Sequence, residues 1–184
     1  RGKPLGVGFK LSYGGTTVPV RLDGVFGKAQ GYAAAAAVAV GLIFGMNLVK
    51  ITENLARYRS AAGRMELLPG VKESAVLDDS YNASPLSVHA ALDTLRDLPA
   101  KRKIAILGDM LELGPYSMEA HRYIGEVAAG VADILIAVGP RAKFIAEGAL
   151  GKRMKKSNVL NFASAEEAAT PITDLLKKGD LVLV

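Results

Sequence analysis

Carboxylates, amides and hydroxyls crowd three short segments of this chain, each at the end of an apolar run. They are Asp78-Asp-Ser-Tyr-Asn-Ala-Ser-Pro85, Gly108-Asp-Met-Leu-Glu-Leu-Gly114 and Gly139-Pro-Arg141. Two adjacent carboxylates at a strand end can bind ribose hydroxyls, a metal or an amine, or can cap the helix that follows. Asp109 and Glu112 share a loop with glycine at both ends, which lets a backbone approach a ligand and equally makes a surface turn. Absences narrow the chemistry further. There is no G-x-x-x-x-G-K-[ST] loop and no G-x-G-x-x-G after a strand, so these residues do not by themselves cradle a triphosphate in the usual ways. Gly6-Val-Gly8 lacks a third glycine and belongs to a hairpin. His89 and His121 each fall inside an expected helix, as structural or surface histidines, and no Ser-His-Asp arrangement is evident. No residue is assigned a catalytic role, and none is expected to bind metal.

The elements that must position these segments are legible from periodicity. Residues 7–12 and 16–22 form a hairpin closed by Tyr13-Gly14-Gly15, where glycines supply positive φ. An alanine-rich helix follows over about 28–44. A second helix, about 48–59, puts Leu48, Ile51, Leu55 and Tyr58 on one face. From Ser74 onward strands and helices alternate: strands at 74–78, 103–107, 134–138, 159–162 and 181–184, helices at 85–95, 117–129, 141–149 and 165–176. Ser84-Pro85 reads as an N-cap followed by proline at the first helical position, and Ser164-Ala-Glu-Glu167 as a capping box. Short apolar strands joined by helices imply an α/β, Rossmann-like domain whose parallel-dominated sheet is covered on both faces. In such a sheet the ligand site lies beyond the carboxyl ends of the strands, where the three polar segments fall. A domain boundary is expected near 68–72, at Pro69-Gly70, dividing the chain into 1–70 and 71–184.

The 184 residues, half of them apolar, suffice for one large domain or two small ones. With no cysteine, disulfides, cysteine-ligated zinc and thiol nucleophiles are excluded, and a reducing cytoplasm is the default compartment. The net charge of +5 is scattered. Its densest cluster, Gly151-Lys-Arg-Met-Lys-Lys156, reads as a solvated connection rather than a surface for nucleic acid or membrane. Residues 31–49 are nearly all apolar and contain Gly41-Leu-Ile-Phe-Gly45. Alanine dominance and the lack of aromatic belts favour a buried, closely packed helix over a membrane span. Both ends read as cut: no methionine opens the chain, and it stops inside Leu181-Val-Leu-Val184.

Taken together, Gly63-Arg-Met-Glu66, Asp78-Asp-Ser-Tyr-Asn-Ala-Ser-Pro85, Ile106-Leu-Gly-Asp-Met-Leu-Glu-Leu-Gly114 and His121 resemble the Mur ligase family, in particular its branch that adds D-alanyl-D-alanine to UDP-N-acetylmuramoyl-tripeptide. The resemblance covers nearly the whole chain and implies a three-domain cytoplasmic enzyme of peptidoglycan synthesis, of which this chain would be the C-terminal Rossmann-like domain and the tail of the central ATPase domain. It implies ATP and Mg2+, activation of the tripeptide carboxylate as an acyl phosphate, attack by the dipeptide amine, no nucleic-acid partner, no membrane insertion and a monomer. The resemblance carries Arg64 and Asp79 over as nucleotide contacts, Asp79 on the ribose, with Tyr81 and Asn82 lining the same edge. It places Asp109 and Glu112 near the ammonium of the dipeptide. Where the family commonly has Gly-x-His-x-x-x-Asn, this chain has Gly24, Phe26 and Gln30; Gln30 keeps an amide for adenine, and the histidine is replaced. Phosphate loop and metal ligands are expected upstream of Arg1, so the isolated chain is expected to be inactive. Another Mur or folylpolyglutamate-type amino-acid ligase, or a non-catalytic Rossmann-like binding module, are the alternatives.

Overall fold

The computed structural model describes residues 6–184, which fall into two compact units, one ending at Ala61 and the other spanning Ala62–Val184. In the first, β1 (Gly6–Tyr13) and β2 (Thr16–Asp23) pair antiparallel around Gly14 and Gly15, both at positive φ, as the glycine pair predicts. Alternate residues of the hairpin turn inward. Phe9, Leu11, Val20 and Leu22 pack with Val25, Leu55 and Ala34 of α1 (Lys28–Ile43), while Val38 of α1 packs on Leu48 and Ile51 of α2 (Leu48–Leu55). The alanine helix is less buried than expected. Only Ala34 and Val38 are buried, and Tyr32, Val40 and Ile43 are exposed. Gly41 does act as a close-packing position: a Cβ there would lie 2.9 Å from Ile51 Cδ1. Among the described residues no helix is long and apolar enough to cross a membrane. The second helix ends at Leu55, short of the expected Arg59, where the Tyr58 amide bonds back only three residues, to the Leu55 carbonyl.

The second unit is an α/β layer around a six-stranded sheet. In chain order its elements are β3 (Glu66–Pro69), β4 (Ala75–Asp78), α3 (Pro85–Asp97), β5 (Arg102–Gly108), α4 (Ser117–Ala129), β6 (Ile134–Val138), α5 (Lys143–Gly151), β7 (Val159–Phe162), α6 (Ala165–Leu175) and β8 (Asp180–Leu183). The strand order is β3-β4-β8-β5-β6-β7, parallel throughout except for β3, which runs antiparallel to β4 at the edge. The boundary expected near 68–72 therefore falls inside this unit, because Glu66 to Pro69 pair with Asp78 to Ala75; the division lies at Ala61. Proline at the end of an edge strand removes no ladder bond that the sheet needs.

Side-chain alternation divides the two faces. Ile104, Ile106, Ile136, Val182 and Phe162 pack against Ile172 and Leu175 of α6. The opposite set, Leu77, Ala105, Leu107, Leu135 and Leu183, is buried throughout, on the sheet that α3 and α5 cover. Three crossovers step in one direction across the sheet and β7–α6–β8 steps back, which with one crossover handedness places α6 on the other face. Helices α4 and α5 touch through backbone. A Cβ on Gly125 would lie 1.9 Å from the Ile145 carbonyl oxygen, and one on Gly148 would lie 2.0 Å from that of Arg122.

Local chemistry sets the helix starts. Ser84 caps α3 by accepting from the Ser87 amide, Ser87 returns a bond to the Ser84 amide, and Pro85 follows as expected. At α6 half of the expected box forms: Ser164 accepts from the Glu167 amide, but Glu167 Oε2 accepts from Ala163. A charge pair, Asp180 buried and Arg102 half-buried, ties the amino ends of β8 and β5 together. Arg102 Nε and Nη2 donate to Asp180 Oδ1 and Oδ2 at 2.9 and 2.6 Å, Nη2 also reaches the Leu175 carbonyl, and the Lys177 amide donates to Asp180. Burial works to raise the Asp180 carboxyl; the Arg102 and Lys177 hydrogen bonds outweigh it and hold the group below its ordinary value.

Candidate functional site

Beyond the carboxyl ends of β4, β8, β5 and β6 opens a cavity of about 460 Å³, a size suited to a small ligand. Its walls are mainly apolar, from Leu107, Val138, Ile124, Ile145 and Ile172, with polar rims at 79–83 and 108–111. Asp79, Tyr81, Asn82 and Asp109 are thereby brought to one place. Gln30 belongs to the first unit, half-buried, where Tyr58 Oη donates to its Oε1 at 3.2 Å and its Nε2 lies 3.5 Å from Ser60 Oγ. Phe26, standing where the family commonly has histidine, is buried.

The first rim is built by two loops stitched together. Gly63 and Met65 both take left-handed backbone, φ +69° and +55°, and this turn presents Arg64 between them. The Tyr81 amide donates to the Gly63 carbonyl at 3.2 Å, and the Met65 amide donates to Asp79 Oδ1 at 3.1 Å. A Cβ on Gly63 would approach Tyr81 N to 3.0 Å, so the close approach needs glycine. Arg64 Cζ lies 4.3 Å from the centroid of the Tyr81 ring, which is 72% exposed. The adjacent carboxylates thus have separate duties, and neither caps α3. Asp78 Oδ1 accepts from the Ser80 amide and hydroxyl, while the described hydrogen bonds of the Asp79 carboxylate use Oδ1 alone. Partial burial raises the Asp79 carboxyl above its ordinary value, against the Met65 amide and the Arg64 charge. Asn82 is exposed and accepts from the Ala83 amide through Oδ1.

The second rim is the β5–α4 loop. Asp109 Oδ1 accepts from the Arg141 and Ala142 amides at 2.9 and 2.7 Å, and Oδ2 lies 3.5 Å from Arg141 Nη1. One carboxylate oxygen expected to face an ammonium is therefore committed to the start of α5. Gly139 makes room, since a Cβ there would lie 2.6 Å from Asp109 Oδ1. Glu112 is exposed and left-handed, φ +61°. His121 is fully buried, and its Nε2 accepts from the Met110 amide at 2.9 Å. Of the two roles expected for it, structural or surface, it has the structural one; its place on the stripe with Ile124, Gly125 and Ala128, all buried on α4, is the signal that it points inward. Among the described residues no group of three His, Cys, Asp or Glu could hold a metal ion.

Residues 63–184 match the family described as Mur ligase, glutamate ligase domain. The chain belongs to the Mur ligase family. The α/β unit with its mostly parallel sheet is the fold of this family's C-terminal domain, and solved Mur ligases superpose on it. A MurF from Acinetobacter baumannii aligns with a TM-score of 0.83 at 28% identity, covering 96% of this chain and 38% of that one. A MurF from Thermotoga maritima in complex with ADP aligns at 0.76 and 27%, covering 92% and 37%. Among curated Mur ligases, the UDP-N-acetylmuramoyl-tripeptide–D-alanyl-D-alanine ligase of Bacillus subtilis is 32% identical over 161 residues, 86% of this chain and 35% of its own length. That of Rickettsia prowazekii is 36% identical over 146 residues, 77% and 31%. The chain thus spans about a third of the Mur ligases it matches.

Proposed function

We propose that this chain is the C-terminal part of a cytoplasmic, monomeric, ATP-dependent ligase that joins D-alanyl-D-alanine to UDP-N-acetylmuramoyl-tripeptide in peptidoglycan synthesis. The observation that carries the reading is the similarity to ligases of that name across most of this chain. In such a reaction ATP with Mg2+ activates the tripeptide carboxylate as an acyl phosphate, which the dipeptide amine then attacks.

The residues present fit one edge of the nucleotide and not its metal. A guanidinium held over an exposed ring can lie on a base or reach a phosphate, which is the role given to Arg64 with Tyr81. Asp79, fixed through one oxygen, has the other for ribose hydroxyls, with Asn82 beside it. Gln30 is given the role of an amide contact to adenine. Glu112 takes the ammonium of the incoming dipeptide, and Asp109 adds its charge from the cavity wall. The apolar lining limits water near the reacting carbonyl. Metal ligands and phosphate loop are assigned to the rest of the protein, so this portion alone is inactive.

The test is phosphate release by the full-length protein given UDP-muramoyl-tripeptide, ATP and a panel of amines. Release that depends on D-alanyl-D-alanine supports the reading. Dependence on a single amino acid in its place rejects it.

A further inference from the structure

We propose that His121 is a positioning residue for the amine substrate: its neutral imidazole holds the β5–α4 loop in the one shape that presents Glu112. This rests on the reading of Glu112 as the ammonium's partner. The loop 109–113 has no ladder of its own, yet it contains a non-glycine residue in left-handed backbone, Glu112, a conformation that persists only where the surroundings impose it. Two adjacent side-chain anchors impose it. Asp109 is fastened to the start of α5, and the Met110 amide is fastened to His121. Met110 itself is buried, so the chain turns outward immediately after the second anchor, and Leu111, 61% exposed, already lines the cavity rim.

The ring's chemistry is dictated by its partners. A backbone amide can only donate, so Nε2 carries the lone pair; Nδ1 then carries the proton and donates to the Ser117 carbonyl at 2.6 Å. One ring therefore braces the loop against the first turn of its own helix. That helix is itself packed tightly, since Gly125, four residues on, lies against the backbone of α5, and Asp109 accepts from the two amides just ahead of α5. A side chain that only filled the space would leave the Met110 amide buried without an acceptor.

The experiment uses the full-length ligase with His121→Leu, which keeps an apolar volume without an acceptor, and His121→Gln, which can return an oxygen to the Met110 amide. In His121→Leu the KM for D-alanyl-D-alanine rises about ten-fold, the size of one lost hydrogen bond to a buried donor, while the KM for ATP holds within about two-fold. His121→Gln recovers much of the difference. In [15N]methionine-labelled protein the Met110 amide exchanges faster with solvent in the leucine variant. Because the two side chains act as a unit, His121→Leu adds little to the KM defect of Glu112→Gln. An unchanged Met110 exchange rate overturns the proposal, as does a freed amide with the dipeptide KM unaltered. A wild-type enzyme that ligates some other amine instead sinks the functional reading, and the exchange measurement still decides whether His121 holds the loop.

Discussion

Gly125→Ala is expected to destabilise the protein by about 2 kcal/mol, a figure that follows from how α4 meets α5. The added carbon would lie 1.9 Å from the Ile145 carbonyl oxygen and 2.9 Å from the Ala149 nitrogen. Both are backbone atoms with no rotamer to change. An ordinary carbon–oxygen contact is about 3.3 Å, so the helices must part by about 1.4 Å at this point or deform. Overpacking a well-filled interior costs ~1–3 kcal/mol, with the upper end expected where the obstacle is main chain. The better helix propensity of alanine offsets ~1 kcal/mol, leaving about 2. For a unit of this size that lowers Tm by about 8 °C. Calorimetry on the purified protein measures it, with Gly151→Ala as the control. Gly151 ends α5, nothing lies within 4 Å of its would-be Cβ, and its substitution should leave Tm unchanged or raise it. Equal Tm values for the two variants would refute the reasoning that this contact sets the helix spacing. Gly148→Ala, which meets the Arg122 carbonyl from the other helix, should behave like Gly125→Ala.

Asp109→Ala removes the acceptor of the Arg141 and Ala142 amides, just ahead of α5, and should cost about 1–2 kcal/mol by denaturant titration, with Asp109→Asn costing less because it keeps an oxygen. Arg102→Met leaves the buried Asp180 carboxylate without its counter-charge, held by the Lys177 amide alone, an expected loss of about 3 kcal/mol, the lower end for a broken buried pair. Because the folded Asp180 carboxyl sits below its ordinary value, its contribution to stability is whole above about pH 4 and is lost as the pH falls through the folded value. Urea midpoints of the wild type and Asp180→Asn should therefore converge on acidification. In the full-length ligase, Arg64→Ala should raise the KM for ATP at least about ten-fold, the equivalent of one charge-assisted hydrogen bond. Since the Asp79 carboxyl is raised, nucleotide affinity should begin to fall with decreasing pH while still above the usual carboxylate range, and Asp79→Asn should abolish that dependence.

Regular elements were readable because each carries its own periodicity. The strands Ile134–Val138 and Val159–Phe162 and the helix Ser117–Ala129 coincide with the expected spans. The edge strand Glu66–Pro69 was not readable, since Glu-Leu-Leu-Pro has no alternation and becomes a strand only by pairing with β4. The same holds for the site. That 78–85 and 108–114 would meet at the sheet's carboxyl edge follows from strand–helix alternation, and the cavity lies there. Which group each carboxylate holds does not follow, because the partners are distant in sequence: Met65 for Asp79, Arg141 and Ala142 for Asp109. Capping was the local guess for Asp78 and Asp79; instead a serine two residues on and a turn fourteen residues back engage them.

The position of β8 bears on how this protein comes to exist. Four consecutive buried residues, Asp180–Leu183, occupy the middle of the sheet between β4 and β5, although they follow all the other described strands in the chain. Until they emerge, β4 and β5 each lack a neighbour and a slot stands open across the core. The pairings Ala75 with Leu181 and Arg102 with Asp180 close loops of about a hundred and about eighty residues, so assembly is a late, non-local and slow event during which unpaired strand edges are exposed. Nascent chains stalled before Asp180 should accumulate as protease-sensitive, aggregation-prone species, and emergence of β8 should convert them cooperatively into the closed sheet.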